Sequence, residues 1–180
     1  MSNIAKKYKK GNETLTIKYD GCIMESPREW DNVGTCVFLG RHSRLGDDHD
    51  IDNVEDADKI ENRSISLPVY MYSHSGETIA TTPFSCPWDS GKLGFIYVTQ
   101  KQAMERMGWK SITPKRKKQL LEILEAEIKV LDQYIRGEVY GFEHNKPNEE
   151  EDSCWGFYGD DFGSTIFDHI GEKIEDWTEV

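Results

Sequence analysis

Residues 93–137 read LGFIYVTQKQAMERMGWKSITPKRKKQLLEILEAEIKVLDQYIRG, and the change of hydrophobic period within them decides the fold class. The first six residues are a near-continuous apolar run of strand length, as in a central strand. Thr99 and Gln102 then stand at capping-box spacing and open a short helix that ends at Gly108. The stretch after it has Thr113 as N-cap and Pro114 at the first helical position, so a long helix is expected up to Gly137. Leu120, Leu124, Ile128, Leu131 and Ile135 recur at steps of four, four, three and four, which places them on one stripe that Leu121 and Tyr134 widen.

Working outward, residues 14–19 (TLTIKY) alternate apolar and polar at the period of a half-buried strand, with a turn at Asp20-Gly21. Residues 34–40 (GTCVFLG) form a second strand bounded by glycines. Residues 65–73 (ISLPVYMYS) make a third, in which Pro68 signals an edge position or a bend. After the Ser75-Gly76 turn, residues 79–84 are a short extended piece and residues 86–91 (CPWDSG) an aromatic-bearing turn. Residues 139–142 and 153–158 read as a hairpin across an acidic loop, in the sheet on which the long helix lies. A last helix over 166–177 gathers Phe167, Ile170, Ile174 and Trp177 on one face despite Gly171. Strands come first and helices later, without the alternation of a parallel sheet, so the reading is α+β, a mainly antiparallel sheet packed by two or three helices. Residues 1–13 read as a basic flexible tail and 14–180 as a single domain carrying an acidic loop at 46–63. The core is placed after residue 64, with Val69, Phe95, Tyr97, Leu120, Leu124, Ile128, Phe142, Trp155 and Phe157 buried.

Thirty-three acids against 22 bases give a net charge of -11, which opposes binding to phosphate backbones and favours cationic partners. The acids cluster in two segments, which nominates Asp47, Asp48, Asp50, Asp52, Glu55, Asp56 and Asp58 in the first and Glu149, Glu150, Glu151, Asp152, Asp160 and Asp161 in the second as partner-binding residues. No apolar stretch approaches the roughly 18 to 20 residues of a membrane span. The N-terminus has lysines without a following apolar segment, so a cytoplasmic protein with no membrane partner is expected. Cys22, Cys36, Cys86 and Cys154 are scattered without a CxxC pair and are expected to be reduced and mostly buried.

Several arrangements invite chemistry. Asp50, Asp52 and Glu61 fall at positions 1, 3 and 12 of a calcium-loop frame, but Glu55 stands where the sharp turn needs glycine and Val54 where an oxygen ligand belongs, which excludes an EF-hand. Weak divalent binding by the clustered carboxylates, and a composite zinc site of His74, Cys86 and Cys154, rank below plain acidic loops and buried thiols. His74, Cys86, Asp89 and Ser90 in the turns at 72–76 and 86–91 offer a nucleophilic set, though these residue types also favour turns for local reasons. The aromatic strand at 92–98 is compared with base-stacking strands of RNA-binding modules and is read as core packing. The bases Lys110, Lys115, Arg116, Lys117 and Lys118 oppose the dipole at a helix N-terminus, which points to acids elsewhere in the chain or on a partner. No phosphate-binding loop, dinucleotide fingerprint or HExxH motif is present, so the expectation is a binding protein rather than an enzyme, with no cofactor and no metal.

The segments LPVYMYSHSGETIATTPFSCPWDSGKLGFIYVTQKQ, LDQYIRGEVYGFE and DSCWGFYGDDF resemble a group of uncharacterised small acidic proteins of bacteriophages and plasmids. The likeness covers residues 66–162 and leaves the first 63 residues outside it. It implies a mobile-element setting and an inhibitor of host defence, of the anti-CRISPR or antirestriction type. The partner would be a host nuclease complex whose basic nucleic-acid channel the acids occupy by mimicry, with no direct binding of nucleic acid. The competing classes are a small-molecule or second-messenger binding protein that uses the aromatic turns as a pocket, a small metal-dependent enzyme, and a phage structural protein. An aromatic pocket with convergent polar groups would favour the small-molecule class.

Overall fold

The computed structural model describes residues 3–21, 25–51, 53–159 and 162–180. In chain order the elements are β1 (Ile4–Lys10), β2 (Glu13–Tyr19), β3 (Thr35–Phe38), α1 (Val54–Arg63), β4 (Ile65–Ser73), β5 (Glu77–Ala80), β6 (Ser90–Val98), α2 (Gln100–Met107), α3 (Pro114–Ile135), β7 (Val139–Asn145), β8 (Asp152–Tyr158), α4 (Phe162–His169) and β9 (Thr178–Glu179). The α+β class holds, with every strand pair antiparallel.

The chain divides into two compact units rather than the single domain expected over 14–180: residues 26–136 form one, and residues 1–25 with 137–180 the other. The reason lies in a long-range pairing. β2 runs antiparallel to β7, with Tyr19 opposite Tyr140, and the Asp20 N–H donates to the Val139 carbonyl at 2.8 Å. The whole 26–136 unit is therefore inserted into the connection of a hairpin, a place where extra chain disturbs few contacts.

In the 26–136 unit the strand order is β3-β6-β4-β5, and β6 is a central strand, as its apolar run implies. One sheet face, through Cys36, Ile96, Val69, Met71 and Ile79, packs on Leu120, Leu124, Ile128 and Leu131 of α3. Thr113 caps α3 by accepting from the Arg116 N–H, and the Thr99–Gln102 box opens α2, both where the sequence places them. Pro68 sits on β4 beyond the reach of β5, which pairs only from Tyr70 to Ser73, so the missing N–H interrupts no ladder on that side. The other face buries Phe95 and Val37 under Ala57 and Ile60 of α1, which settles the aromatic strand as core packing.

That α1 is a ten-residue helix corrects the acidic loop expected at 46–63. Asn53 caps it by accepting from the Asp56 N–H, and Glu55 and Asp56 lie in its first turn, where acids favour the dipole. Ala57 and Ile60 seat it on the sheet, helped by Glu61, which bonds Lys92 and accepts from the Ser66 hydroxyl, and the apolar periodicity is too sparse to reveal that in sequence.

The other unit is a five-stranded sheet in the order β8-β7-β2-β1-β9. Its core comprises Tyr8, Leu15, Ile17, Tyr140, Phe142, Ile166, Phe167 and Trp177. Residues 4–10 are thus a strand and not part of a flexible tail: Tyr8 is buried edge-on against Phe167 while Lys7 and Lys9 point away, and pairing with β2 supplies the ladder. The core accordingly begins well before residue 64. The long helix lies on the β3-β6-β4-β5 sheet, not on the β7–β8 hairpin, because β7 and β8 pair into the other sheet. Trp155, expected inside, is 44% exposed: its ring lies flat on Gly141, where an added Cβ would meet the indole at 2.1 Å. Phe157 and Tyr97 are half-buried. The last helix stops at His169, because Gly171 takes φ +70°, and only a 3-10 turn at Ile174–Asp176 follows. Ile174 is exposed in consequence.

Leu124 is fully buried in the middle of α3. Leu124→Ala is expected to cost about 2–5 kcal/mol in denaturant unfolding. Residues 26–136 expressed alone, having their own two-faced sheet core, are expected to melt cooperatively by near-ultraviolet circular dichroism.

Candidate functional site

The nominated carboxylates separate into two kinds. Asp47 is structural. Arg28, whose side chain is 5% exposed, donates from Nε to Asp47 Oδ1 at 3.2 Å and from Nη2 to Oδ2 at 2.7 Å. Its Nη1 donates to Glu127 Oε2 of α3 at 3.1 Å, and Nη2 also reaches the Gly34 carbonyl at 2.7 Å. Asp47 Oδ2 accepts the Cys36 N–H at 2.6 Å, and Glu127 accepts the Val33 N–H at 2.7 Å and the Gly34 N–H at 3.2 Å. Burial disfavours the guanidinium charge, yet the hydrogen bonds and charges of Asp47 and Glu127 outweigh it and raise the Arg28 pKa above its ordinary value. Burial likewise pushes the neighbouring Cys36 thiol well up, against the pull of Arg28.

Glu55 and Asp56 are exposed but paired with Lys59 at 3.2 and 2.9 Å, and the Asn53 amide with Lys59 holds the Asp56 carboxyl below its usual range. Asp48, Asp50 and Asp58 are exposed and, among the described residues, carry no ion pair. Glu149 approaches Lys146 at 3.9 Å, whereas Glu150, Glu151 and Asp152 at the β7–β8 connection are exposed and form no ion pair among the described residues. Asp52, Asp160 and Asp161 lie outside the described residues, as does Cys22. The two acidic groups belong to different units.

The turns at 72–76 and 86–91 do meet. His74 Nδ1 lies 3.4 Å from Asp89 Oδ2, and the Cys86 thiol donates to the same oxygen at 3.6 Å. The Ser90 hydroxyl donates to the Cys86 carbonyl, and the Ser73 N–H to the Asp89 carbonyl at 2.8 Å. Asp89 therefore stands between thiol and imidazole as the hub of a braced turn, and this is not the thiol-to-imidazole contact of a nucleophile and its base. The turn presents Trp88, 91% exposed, at the rim of a cavity of about 420 Å3 that Arg41, His42, Ser73, Ser90 and Lys92 also line. A second cavity, of about 620 Å3, borders the Asp47–Asp48 segment and is lined by Phe38, Ser43, Arg44, His49 and Ile51.

Cys154 belongs to one unit and His74 and Cys86 to the other, and among the described residues no group of three His, Cys, Asp or Glu side chains that could hold a metal ion is found. Of the described cysteines only Cys36 is buried, with Cys86 and Cys154 half-buried. Within the basic run at the start of α3, Arg116 lies over the Trp109 ring at 4.9 Å and Lys118 pairs with Glu122 at 3.7 Å, while Lys110, Lys115 and Lys117 form no ion pair among the described residues. Among the described residues no helix is long and apolar enough to cross a membrane. No family model, curated protein or solved structure matches the chain.

Arg28, Glu127, Arg41 and His42 were not singled out by sequence reading. Glu127 had a signal, an acid one residue before Ile128 of the apolar stripe, and Arg28 had another in the Ser26–Glu29 capping box around it. Arg28→Ala would leave two half-buried carboxylates without their cation, and is expected to lower stability by about 3–5 kcal/mol in urea unfolding. Lys118→Ala, at an exposed pair, is expected to change it by less than about 0.5 kcal/mol.

Proposed function

We propose that this chain is a binding protein that engages a basic protein partner through exposed carboxylates, and that in a mobile-element setting it inhibits a host nucleic-acid-targeting defence complex by occupying its basic channel. The observation that supports this reading most is the segregation of charge. Residues 1–25 and 137–180 hold sixteen acids against seven bases, a net of -9, while residues 26–136 hold seventeen against fifteen, a net of -2. Most of the charge thus sits on the smaller unit. Its hairpin connection at 149–152 projects four carboxylates, and only Glu149 has a cation near it among the described residues. Such charge weakens the fold by self-repulsion and favours a cationic partner, through faster association above all.

The acids carried by this reading are Asp48, Asp50 and Asp58 in one unit and Glu149, Glu150, Glu151 and Asp152 in the other. Asp47 is excluded by its bonds to Arg28. The expected outcome in a reconstituted nuclease assay is concentration-dependent inhibition that weakens as salt rises from 50 to about 300 mM. Triple neutralisation of residues 149–151 to Gln should slow association roughly tenfold without shifting the melting curve. Undiminished inhibition by that variant and by an Asp48→Asn/Asp50→Asn double variant rejects the reading.

A further inference from the structure

The cavity beside Trp88 brings two cations together in a chain that is otherwise acidic. Arg41 and Lys92 border it with His42, the hydroxyl-bearing Ser73 and Ser90, and one carboxylate, Asp89, whose Oδ2 already meets His74 and the Cys86 thiol. Its volume of about 420 Å3 lies in the range of roughly 300–1,000 Å3 usual for small-ligand sites. Arg41, His42, Ser90 and Lys92 each meet a neighbour through the side chain. Arg41 donates its Nε to His42 Nε2 at 2.7 Å, and His42 Nδ1 lies 3.5 Å from Glu77 Oε1. The two terminal nitrogens of the Arg41 guanidinium keep their donors, and among the described residues no carboxylate pairs with them. Lys92 donates to Glu61 Oε2 at 2.7 Å, and its ammonium has two further protons to offer.

Trp88 supplies the other half. Trp109 and Trp177 each carry a cation of this chain over the ring, Arg116 and Lys10, while Trp88 is almost fully exposed. Nothing in the packing of the unit calls for an indole there. The turn that holds it is nonetheless braced, through Asp89 to His74 and Cys86 and through Ser90 to the Cys86 carbonyl. An exposed aromatic side chain on a fixed turn, lining the same cavity as a forked cation and an ammonium, combines a stacking surface for a base with donors for a phosphate.

We propose that this cavity binds a nucleoside phosphate, with the base stacked on Trp88 and the phosphate held by Arg41 and Lys92. The site lies within the 26–136 unit and does not depend on the acidic-surface reading. Its ligand chemistry is shared by a free nucleotide and by the 5′-phosphorylated end of a strand.

The test is calorimetric titration of the full chain with AMP, GMP, CMP and UMP, with a 5′-phosphorylated trinucleotide, and with adenosine and inorganic phosphate as half-ligands. At least one nucleotide is expected to bind saturably and more tightly than either half-ligand. Equal affinity for mononucleotide and trinucleotide assigns a free nucleotide, and preference for the trinucleotide assigns a strand end. Trp88→Ala should weaken that binding roughly tenfold through lost stacking. Arg41→Ala should do so by a similar factor, with Arg41→Lys in between because it keeps the charge and loses the fork. Both side chains are exposed, so unchanged melting curves are expected to accompany the losses. Absence of saturable binding by every nucleotide at millimolar concentration overturns the proposal, as does phosphate alone binding as tightly as the nucleotides, or an affinity that survives both Trp88→Ala and Arg41→Ala.

Discussion

A single guanidinium links three separate segments of the inserted unit. Arg28 is nearly enclosed, and its donors reach a carboxylate after β3, a carboxylate on α3 and the carbonyl of Gly34. The two carboxylates use their remaining lone pairs on backbone N–H groups of Val33, Gly34 and Cys36. Placing one cation and two anions in a poorly solvated site costs several kcal/mol per ion, and only this degree of hydrogen bonding offsets it. The arrangement ties the segment entering β3 to the long helix by polar bonds, where apolar contacts alone would tolerate a slide along the stripe. It also fixes the beginning of the acidic segment, since Asp47 is one of its members.

Carboxylates in this chain therefore do different work according to their surroundings. Asp47 and Glu127 are locked into the fold, Glu55 and Asp56 are answered by Lys59 on their own helix, and Asp132 accepts from the Thr78 hydroxyl and the Ile79 N–H at the sheet edge. The net negative charge is concentrated on the unit built from residues 1–25 and 137–180, -9 against -2 on the inserted unit. Charge that has no internal partner is available to an external one, and its cost to the compact state is borne by a five-stranded sheet whose aromatic core includes Tyr8, Phe142, Phe167 and Trp177. The inserted unit, closer to neutrality, carries the cavity in which cations and an aromatic ring converge.

Local chemistry was legible wherever one segment sufficed to specify it. The caps at Thr99 and Thr113, the stripe on α3, the apolar run of β6, the β7–β8 hairpin and the antiparallel α+β class all follow from spacing and from the demands of helix termini and pleated strands. The charge and its clustering are equally properties of the sequence. The tertiary structure decided the rest, because the remaining facts depend on residues far apart in the chain. A lone Tyr8 among lysines becomes a core residue only when β1 pairs with β2 and Phe167 arrives from the far end of the chain. The division into two units follows from β2 meeting β7 across more than a hundred residues, and Asp47 leaves the surface only because Arg28 and Glu127 close on it. Such pairings are stabilised by burial and by hydrogen bonds that no local pattern encodes, so it took the folded chain to separate structural acids from exposed ones and to bring Arg41, Trp88 and Lys92 to one cavity.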